Sequence, residues 1–354
     1  EKTLLPHDPK GYLQAIHATM APDGTIYFSQ KTLLSKSTDG GRTWSSHELT
    51  MPAGPNSSFQ VLRDGTFVGA SVEVKESPDQ VIVLASGDEG RTWEKISEVD
   101  NPGGSPVRYP DTLCRLPDDT LLMPVDNYNP QWSDPAYVHR STDGGKTWSG
   151  PTGPYGERTH VGGSAIGPNT GPGFLSASSY EAMIANMPSG NLLSVIRYHG
   201  GVVPQWPLID PGQHTYYKTT FLADSHDQGN TWENFRPLTN VHGQCHGFAA
   251  ALSDGTVIVT HDHRYPPGAP CGRAMVSFDE GRTWEDEVYF FAFSTVPRGS
   301  AGFNESVVLE DDTILTIAGT SDVERPSIVQ MGVTSKLYIG NTDVWAIRWR
   351  LERE

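Results

Sequence analysis

The sequence predicts an all-β fold, a six-bladed β-propeller that takes up the whole chain, 1–354, as one domain. Three observations carry this prediction. The pattern Ser-x-Asp-x-Gly-x-Thr-Trp recurs five times: STDGGRTW from Ser37, SGDEGRTW from Ser86, STDGGKTW from Ser141, SHDQGNTW from Ser225 and SFDEGRTW from Ser277. A second unit, an apolar strand, a Pro/Asp-Gly type turn and another apolar strand, occurs six times. The two alternate along the chain, so each of the first five hairpins is followed by one Ser/Asp/Gly/Trp turn.

The hairpins run in order: MAPDGTIYF ending at Phe28, VLRDGTFVG at Gly69, RLPDDTLLM at Met123, NMPSGNLLSVIR at Arg197, ALSDGTVIV at Val259 and VLEDDTILT at Thr316. Apolar residues on both sides of a turn signal are the mark of paired strands. Apolar runs such as Leu33-Leu34 and Val81-Ile82-Val83 then read as third strands entering the Ser/Asp/Gly/Trp turn. Within that turn, Ser and Asp side chains bond nearby backbone, Gly takes a positive φ and Trp packs into a sheet interface; it reads as self-contained. The sixth unit ends in LYIGNTDVWAIRWRL without such a turn, and the long gap between Ser141 and Ser225 places the main insertion in blade 4.

Composition agrees and excludes several classes. Thirty-seven glycines and 27 prolines suit a turn-rich chain, and 36% hydrophobic residues suit a packed core. The formal net charge is −16, which argues against a nucleic-acid partner because phosphate binding needs a basic footprint. It leaves room for an anionic ligand in a locally basic pocket. No run of 18 apolar residues is present, so no membrane span is expected. Cys114, Cys245 and Cys271 are odd in number and lack CxxC spacing, so no disulfide framework or thiolate metal site is read from them. The chain starts at Glu1 without a leader; the expectation is a secreted or periplasmic protein whose export signal has been removed.

In a propeller the innermost strand of each blade lines the channel, and strand-end loops build a pocket at one mouth. The hairpin glycine, or its equivalent, serves as a ruler. Nine residues before it stand Ala15, Asn56, Pro110, Glu181, His246 and Phe303; seven after it stand Lys31, Val72, Asp126, Arg197, Asp262 and Gly319. Both sets are expected near one mouth, and unlike residues at matched places are what a site looks like in a repeat protein.

The five turns resemble the Asp-box of the sialidase superfamily, and with the six hairpins the resemblance covers nearly the whole chain. It implies a structural role for the Asp-boxes, on the outer edge. It also implies a carbohydrate-binding mouth with three arginines, a Tyr/Glu nucleophilic pair and an Asp acid/base. Glu181 matches the catalytic Glu, Arg197 the second arginine and Arg273 the third. Gln14 stands where the first arginine would be, Phe303 replaces the nucleophilic tyrosine, and the Lys31–Ser37 connection is too short for the acid/base loop. Phenylalanine has no hydroxyl, so the sialidase covalent mechanism is closed to this chain.

The candidate catalytic residues are therefore Glu181, Asp126, Asp262 and His246, with Arg197, Arg273, Gln14, His17, Asp111, Phe303, Glu305 and His263 as substrate-binding candidates. Two carboxylates flanking a glycosidic bond are the requirement for hydrolysis. Trp132 and Trp206 could stack on sugar faces. Each has a plainer reading: the arginines as solvated side chains or structural partners of Glu181, Asp111 and Glu305 as turn caps, the histidines as satisfied polar residues, and the two tryptophans as lid packing. His242, His246, His261 and His263 could bind zinc, but four neutral ligands at that spacing form no recognised motif, so neither a metal nor a cofactor is expected. Three functions follow: a glycoside hydrolase acting on a carboxylate-bearing (uronic or sialic-acid-like) sugar by a non-sialidase mechanism; a uronate polysaccharide lyase with His246, His17 or Tyr217 as base; or a non-catalytic glycan-binding propeller.

Overall fold

Each Asp-Gly hairpin is closed by its own residues. Asp23 Oδ1 accepts the Thr25 N–H at 2.9 Å while Gly24 takes φ 83°, and the same Asp-to-Thr bond recurs at Asp64, Asp118, Asp254 and Asp311. In the third and sixth hairpins Asp119 and Asp312 occupy the left-handed position that glycine holds elsewhere, as a short polar side chain can. The computed structural model describes residues 1–6, 16–30, 32–51, 58–72, 80–100, 107–110, 112–127, 137–152, 178–200, 217–238, 244–263, 271–285, 288–293, 304–321 and 342–352.

The chain opens with β1 (Lys2–Leu4) and then builds blade 1 from β2 (Ile16–Met20), β3 (Ile26–Gln30), β4 (Leu33–Ser37) and β5 (Ser45–Glu48). Blade 2 holds β6 (Ser58–Val61), β7 (Phe67–Val72), β8 (Gln80–Ser86) and β9 (Glu94–Asp100). In blade 3 the inner strand is split into β10 (Val107–Pro110) and β11 (Cys114–Arg115), followed by β12 (Leu121–Asn127), β13 (Tyr137–Ser141) and β14 (Ser149–Thr152). Blade 4 comprises β15 (Ser178–Asn186), β16 (Leu192–Gly200), β17 (Tyr217–Ser225) and β18 (Glu233–Pro237); blade 5 comprises β19 (Gln244–Ala251), β20 (Val257–His263), β21 (Cys271–Ser277) and β22 (Val288–Phe293). Among the described residues blade 6 has three strands of its own, β23 (Glu305–Val308), β24 (Ile314–Ser321) and β25 (Thr342–Trp349). Its outermost strand is β1, antiparallel to β25 with Thr3 opposite Ala346. The N-terminal segment thus closes the ring, a role its three residues do not announce.

The six sheets contact one another in cyclic order, and a cluster of buried apolar residues fills each junction. Strand alternation divides each blade between two clusters. On β16, Leu193 and Val195 face blade 5, whereas Leu192 and Ile196 face blade 3.

All five Asp-box segments form the same hydrogen-bonded turn. In the first, Ser37 Oγ donates to Asp39 Oδ1 at 2.8 Å and accepts the Gly41 N–H at 2.9 Å, while Thr43 Oγ1 donates to Asp39 Oδ2 at 2.6 Å. The set repeats around Asp88, Asp143, Asp227 and Asp279. The Thr hydroxyl is the largest of several hydrogen bonds that hold Asp39, Asp88 and Asp143 below the ordinary carboxylate range, at about 2 for the latter two.

The turn is not self-contained, which corrects the sequence-based expectation. A Cβ on the box glycine would meet the preceding blade every time: Leu315 for Gly41, Leu49 for Gly90, Val68 for Gly145, Leu122 for Gly229 and Leu193 for Gly281. Hydrogen bonds follow the same route. Thr50 N–H donates to Gly90 O at 3.1 Å, Ser97 Oγ to Gly145 O at 2.5 Å, Arg236 Nη2 to Gly281 O at 2.7 Å, and Arg348 Nη1 to Gly40 O. Each box is a latch onto the blade before it.

Candidate functional site

The mouth lies at the sheet ends opposite the Asp-Gly hairpins and Asp-boxes. There the inner strands of blades 4 and 5 carry matching bulges. Tyr180 pairs with Arg197 and Met183 with Val195, so Glu181 and Ala182 together oppose the single residue Ile196. Cys245 pairs with Asp262 and Phe248 with Thr260, so His246 and Gly247 together oppose His261. Glu181 and His246 are therefore the first residues of equivalent bulges. Blade 3 also departs from regular pairing at this level, with Tyr109 opposite Asp126, Pro110 opposite Val125 and Cys114 opposite Leu122. In blades 1, 2 and 6 the described inner strands pair without interruption.

Gly247 explains how the fifth-blade bulge fits. A Cβ there would lie 2.6 Å from Val195 Cγ1 and 3.1 Å from Thr220 Cγ2, both on blade 4. Only a glycine lets the two blades approach this closely.

Arg197, His261 and Arg273 converge on that junction. Arg197 follows Leu193 and Val195 on the face of β16 that packs against blade 5; His261 follows Val257 and Val259 on the face of β20 that packs against blade 4. Arg273 is the cross-strand partner of His261, two residues before Met275 of the same core. Their exposures are 5%, 0% and 6%. Two buried guanidinium groups demand anionic or carbonyl partners, so polar contact at this junction is obligatory.

His17 and Glu305 serve the inner ring. Both stand seven residues before their hairpin turn residue, as do Ser58 and Met183, and each of these side chains grips the next blade's backbone one register further on. Glu305 Oε2 accepts the Ala18 N–H at 2.5 Å, Ser58 Oγ the Leu113 N–H at 2.9 Å, and Met183 Sδ the Ala249 N–H at 3.1 Å. His17 Nε2 lies 2.6 Å from Phe59 O; because a carbonyl only accepts, Nε2 bears the proton. Its Nδ1 is 3.3 Å from Glu305 Oε2 and makes no hydrogen bond. At 2% and 3% exposure the two residues join blades 6, 1 and 2, a role that sequence spacing alone did not suggest.

The remaining candidates divide in two. Asp126, Asp262 and His263 lie on β12 and β20, placed by register: Asp126 opposite Tyr109, Asp262 opposite Cys245 and His263 opposite Gln244. Gln14, Asp111 and Phe303 lie outside the described residues, as do Trp132, Trp206 and His242. Among the described residues no group of three or more His, Cys, Asp or Glu is placed to hold a metal ion, and no helix is long and apolar enough to cross a membrane. Burial pushes the Cys114 thiol up to about 12, so it is not a nucleophile near neutral pH. Sequence reasoning missed Asn304, wholly buried one residue before Glu305. Its Nδ2 donates to His261 O at 3.1 Å and its backbone O accepts Thr260 Oγ1 at 2.5 Å, tying blade 6 to blade 5 beneath the mouth.

With this geometry in hand, comparison with known proteins gives a consistent frame. The family model described as BNR/Asp-box repeat matches residues 139–149, which span the third box. No curated protein matches the chain. Among solved structures, the α-L-arabinofuranosidase of Fusarium graminearum is 17% identical with a TM-score of 0.63, covering 97% of this chain and 94% of its own. The α-L-arabinanase of Penicillium chrysogenum is 14% identical with a TM-score of 0.62, covering 96% and 95%. The intramolecular trans-sialidase of Ruminococcus gnavus is 12% identical with a TM-score of 0.56, covering 97% and 95%. The chain is thus an Asp-box six-bladed propeller; at these identities the likeness is one of fold.

Proposed function

We propose that the protein is a glycoside hydrolase whose catalytic centre lies at the mouth between blades 4 and 5. The observation that carries this reading is the pair of matching bulges at Glu181 and His246. Bulges concentrate beside active sites because they re-aim a residue out of the regular pleat, and here adjacent blades carry them at one level, next to two buried arginines. Glu181 is the principal catalytic carboxylate, Asp262 or Asp126 the second, and His246 shares the proton transfers. The similar folds named above belong to enzymes of glycosidic bonds, which supports the class. Arg197 and Arg273 favour the finer reading, a sugar bearing a carboxylate, since a guanidinium fork matches that group in two hydrogen bonds.

The test is a substrate panel of arabinan oligosaccharides, sialyl oligosaccharides and uronate glycans, reading new reducing ends together with absorbance near 235 nm. Reducing ends without an unsaturated product are expected. An absorbance rise would replace hydrolysis with the lyase reaction, and binding without turnover would leave a glycan-binding propeller. On the active substrate, Glu181→Gln is expected to lower kcat by roughly 10²–10⁴-fold, the range for removing a positioned acid–base group. Turnover within a few-fold of the parent would remove Glu181 from the chemistry. Arg197→Ala should raise KM for a carboxylate-bearing substrate; an unchanged KM there would confine the proposal to a neutral sugar.

A further inference from the structure

The hairpin ruler gives every junction between neighbouring blades the same three positions. They are the fifth residue after the turn glycine, or its equivalent, in one blade, with the sixth before and the fourth after it in the next. Three junctions fill them with apolar side chains of one core: Ala70, Leu113 and Met123; Val195, Ala249 and Val259; Ile317, Ala18 and Phe28. Two more have a single hydroxyl, Ser29 with Phe59 and Gly69, and Ser194 with Pro124 and Ile184. The junction of blades 5 and 6 instead has Thr260, Ser306 and Thr316, all buried. Its apolar cluster, which includes Ala250, Leu252, Ile258 and Ile314, lies nearer the hairpins.

These hydroxyls form one chain. Trp349 Nε1 donates to Thr316 Oγ1 at 2.9 Å, Thr316 Oγ1 lies 2.8 Å from Ser306 Oγ, and Ser306 Oγ lies 3.2 Å from Thr260 Oγ1. Thr260 Oγ1 in turn donates to Asn304 O at 2.5 Å and Phe248 O at 3.2 Å. Carbonyls only accept, so the Thr260 proton points at them, Ser306 donates to Thr260, and Thr316 donates to Ser306. The chain ends on the fifth-blade bulge. Phe248 is the first residue paired beyond that bulge, and Asn304 Nδ2 donates to the carbonyl of His261, which faces His246 and Gly247. On the ruler Asn304 holds the place of Gly247 in blade 5 and Ala182 in blade 4. Blade 6 thus uses its counterpart of a bulge residue to clasp the bulge next door.

Folding does not require this arrangement. Apolar side chains close the other junctions, and Asn304 Oδ1, wholly buried, has no hydrogen-bond donor among the described residues, a cost that an apolar residue would avoid. Apolar contacts are non-directional, whereas a buried hydrogen-bonded chain is satisfied in one arrangement and leaves unmet partners in any other. We propose that Thr260 and Asn304 are positioning residues that fix the fifth-blade bulge and, with it, the placement of His246 at the mouth. The kinetic consequence rests on the catalytic reading above; the hold on the bulge does not.

The test joins hydrogen–deuterium exchange of the full chain to turnover on whichever panel substrate is active. Thr260→Val keeps the shape and removes the hydroxyl, and Thr260→Ser restores it. Thr260→Val is expected to speed exchange in Gln244–Ala251 about tenfold, while Ser178–Asn186, which carries the blade 4 bulge, stays within about twofold of the parent. It should lower kcat by roughly 10–10²-fold, the scale of a misplacement of about 1 Å, with KM within about twofold. Thr260→Ser should return both readouts to the parent's, and Ser29→Ala, at the same ruler position in blade 1, should change neither. Ser306→Ala breaks the chain one link further out and leaves both Thr260 donations in place; it should move the same readouts in the same direction by less, even if Thr260→Val fails to fold. Equal acceleration of both segments overturns the proposal, as does unchanged exchange in Gln244–Ala251. A loosened bulge with kcat unchanged on an active substrate would overturn the positioning of His246 for chemistry. If the parent turns over nothing on the panel while Gln244–Ala251 is still selectively loosened, the catalytic mouth falls and the hold on the bulge stands.

Discussion

His139 lies on β13 opposite Met123, whose side chain belongs to the core between blades 2 and 3, and it is 4% exposed. Desolvation pushes its pKa down from 6.5 to about 4, so the folded chain keeps it neutral. The sign follows directly. Above pH 6.5 both states are neutral and the folded state bears no penalty; as pH falls toward 4 the unfolded chain gains a proton that the folded one refuses, and stability is lost. Two and a half units correspond to about 3 kcal/mol in full, of which about 2 kcal/mol falls between pH 7.5 and pH 5. Urea unfolding at those two pH values should show His139→Leu losing about 2 kcal/mol less than the parent. Equal losses in both proteins would refute the burial argument. At this scale the sequence was informative wherever a residue has a counterpart in another blade. Arg197 and Asp262 share one place on the hairpin ruler, and so do Glu181 and His246. It offered His17 and Glu305 only as substrate-binding candidates and was silent on how they join blades, because their contact links opposite ends of the chain and depends on the ring having closed.

At the scale of the element, the Asp-box has two jobs, a turn and a latch, and its glycine serves both. Gly90 combines φ 78° with a hypothetical Cβ only 2.6 Å from Leu49 Cδ1, whereas Gly65 in the neighbouring hairpin combines φ 86° with open space. Gly65→Ala should therefore cost only the left-handed strain, about 1 kcal/mol, and Gly90→Ala that strain plus overpacking, about 2–4 kcal/mol. Chemical denaturation of the two variants checks the difference, and equal costs would mean that the latch contributes nothing. Where the box carries a side chain at the preceding left-handed position, that side chain reaches the previous blade. Glu89 bonds Lys36, Gln228 accepts Arg140 Nη2 at 3.4 Å, and Glu280 accepts Ser189 Oγ at 2.8 Å. The turn was legible in the sequence because its hydrogen bonds are local. The latch was not, since Leu49, Leu122 and Leu193 carry no mark of what they touch. The bulges stayed hidden for a related reason: an extra residue in a strand is visible only against the partner it fails to pair with.

At the scale of the molecule, five of the six junctions join blades that follow one another along the chain, while the sixth must bring blade 6 onto blade 1. Several contacts concentrate there. Strand β1 pairs with β25, Leu5 is 2% exposed in the core shared with Ala18, Phe28 and Leu315, and the Glu1 backbone nitrogen donates to Arg348 O at 3.0 Å. Arg348 continues outward to Gly40 of the first Asp-box, and Glu305 reaches inward to Ala18. The junction is thus fastened at its outer edge, its core and its inner strand. Removing residues 1–6 releases the outer edge and uncovers Val344 and Ala346, both buried in the intact ring. Lost Leu5 burial together with a few backbone hydrogen bonds amounts to about 4 kcal/mol. The bared β25 edge also becomes a template for another chain, because unpaired strand edges recruit partners. The truncated protein should melt several degrees lower and sediment partly as dimers, whereas Leu5→Ala, which keeps the strand, should melt lower but remain in the parent's association state. If the truncated chain matched the parent in both melting and sedimentation, ring closure would rest on the inner strands alone, with Glu305 and His17 as its fastening.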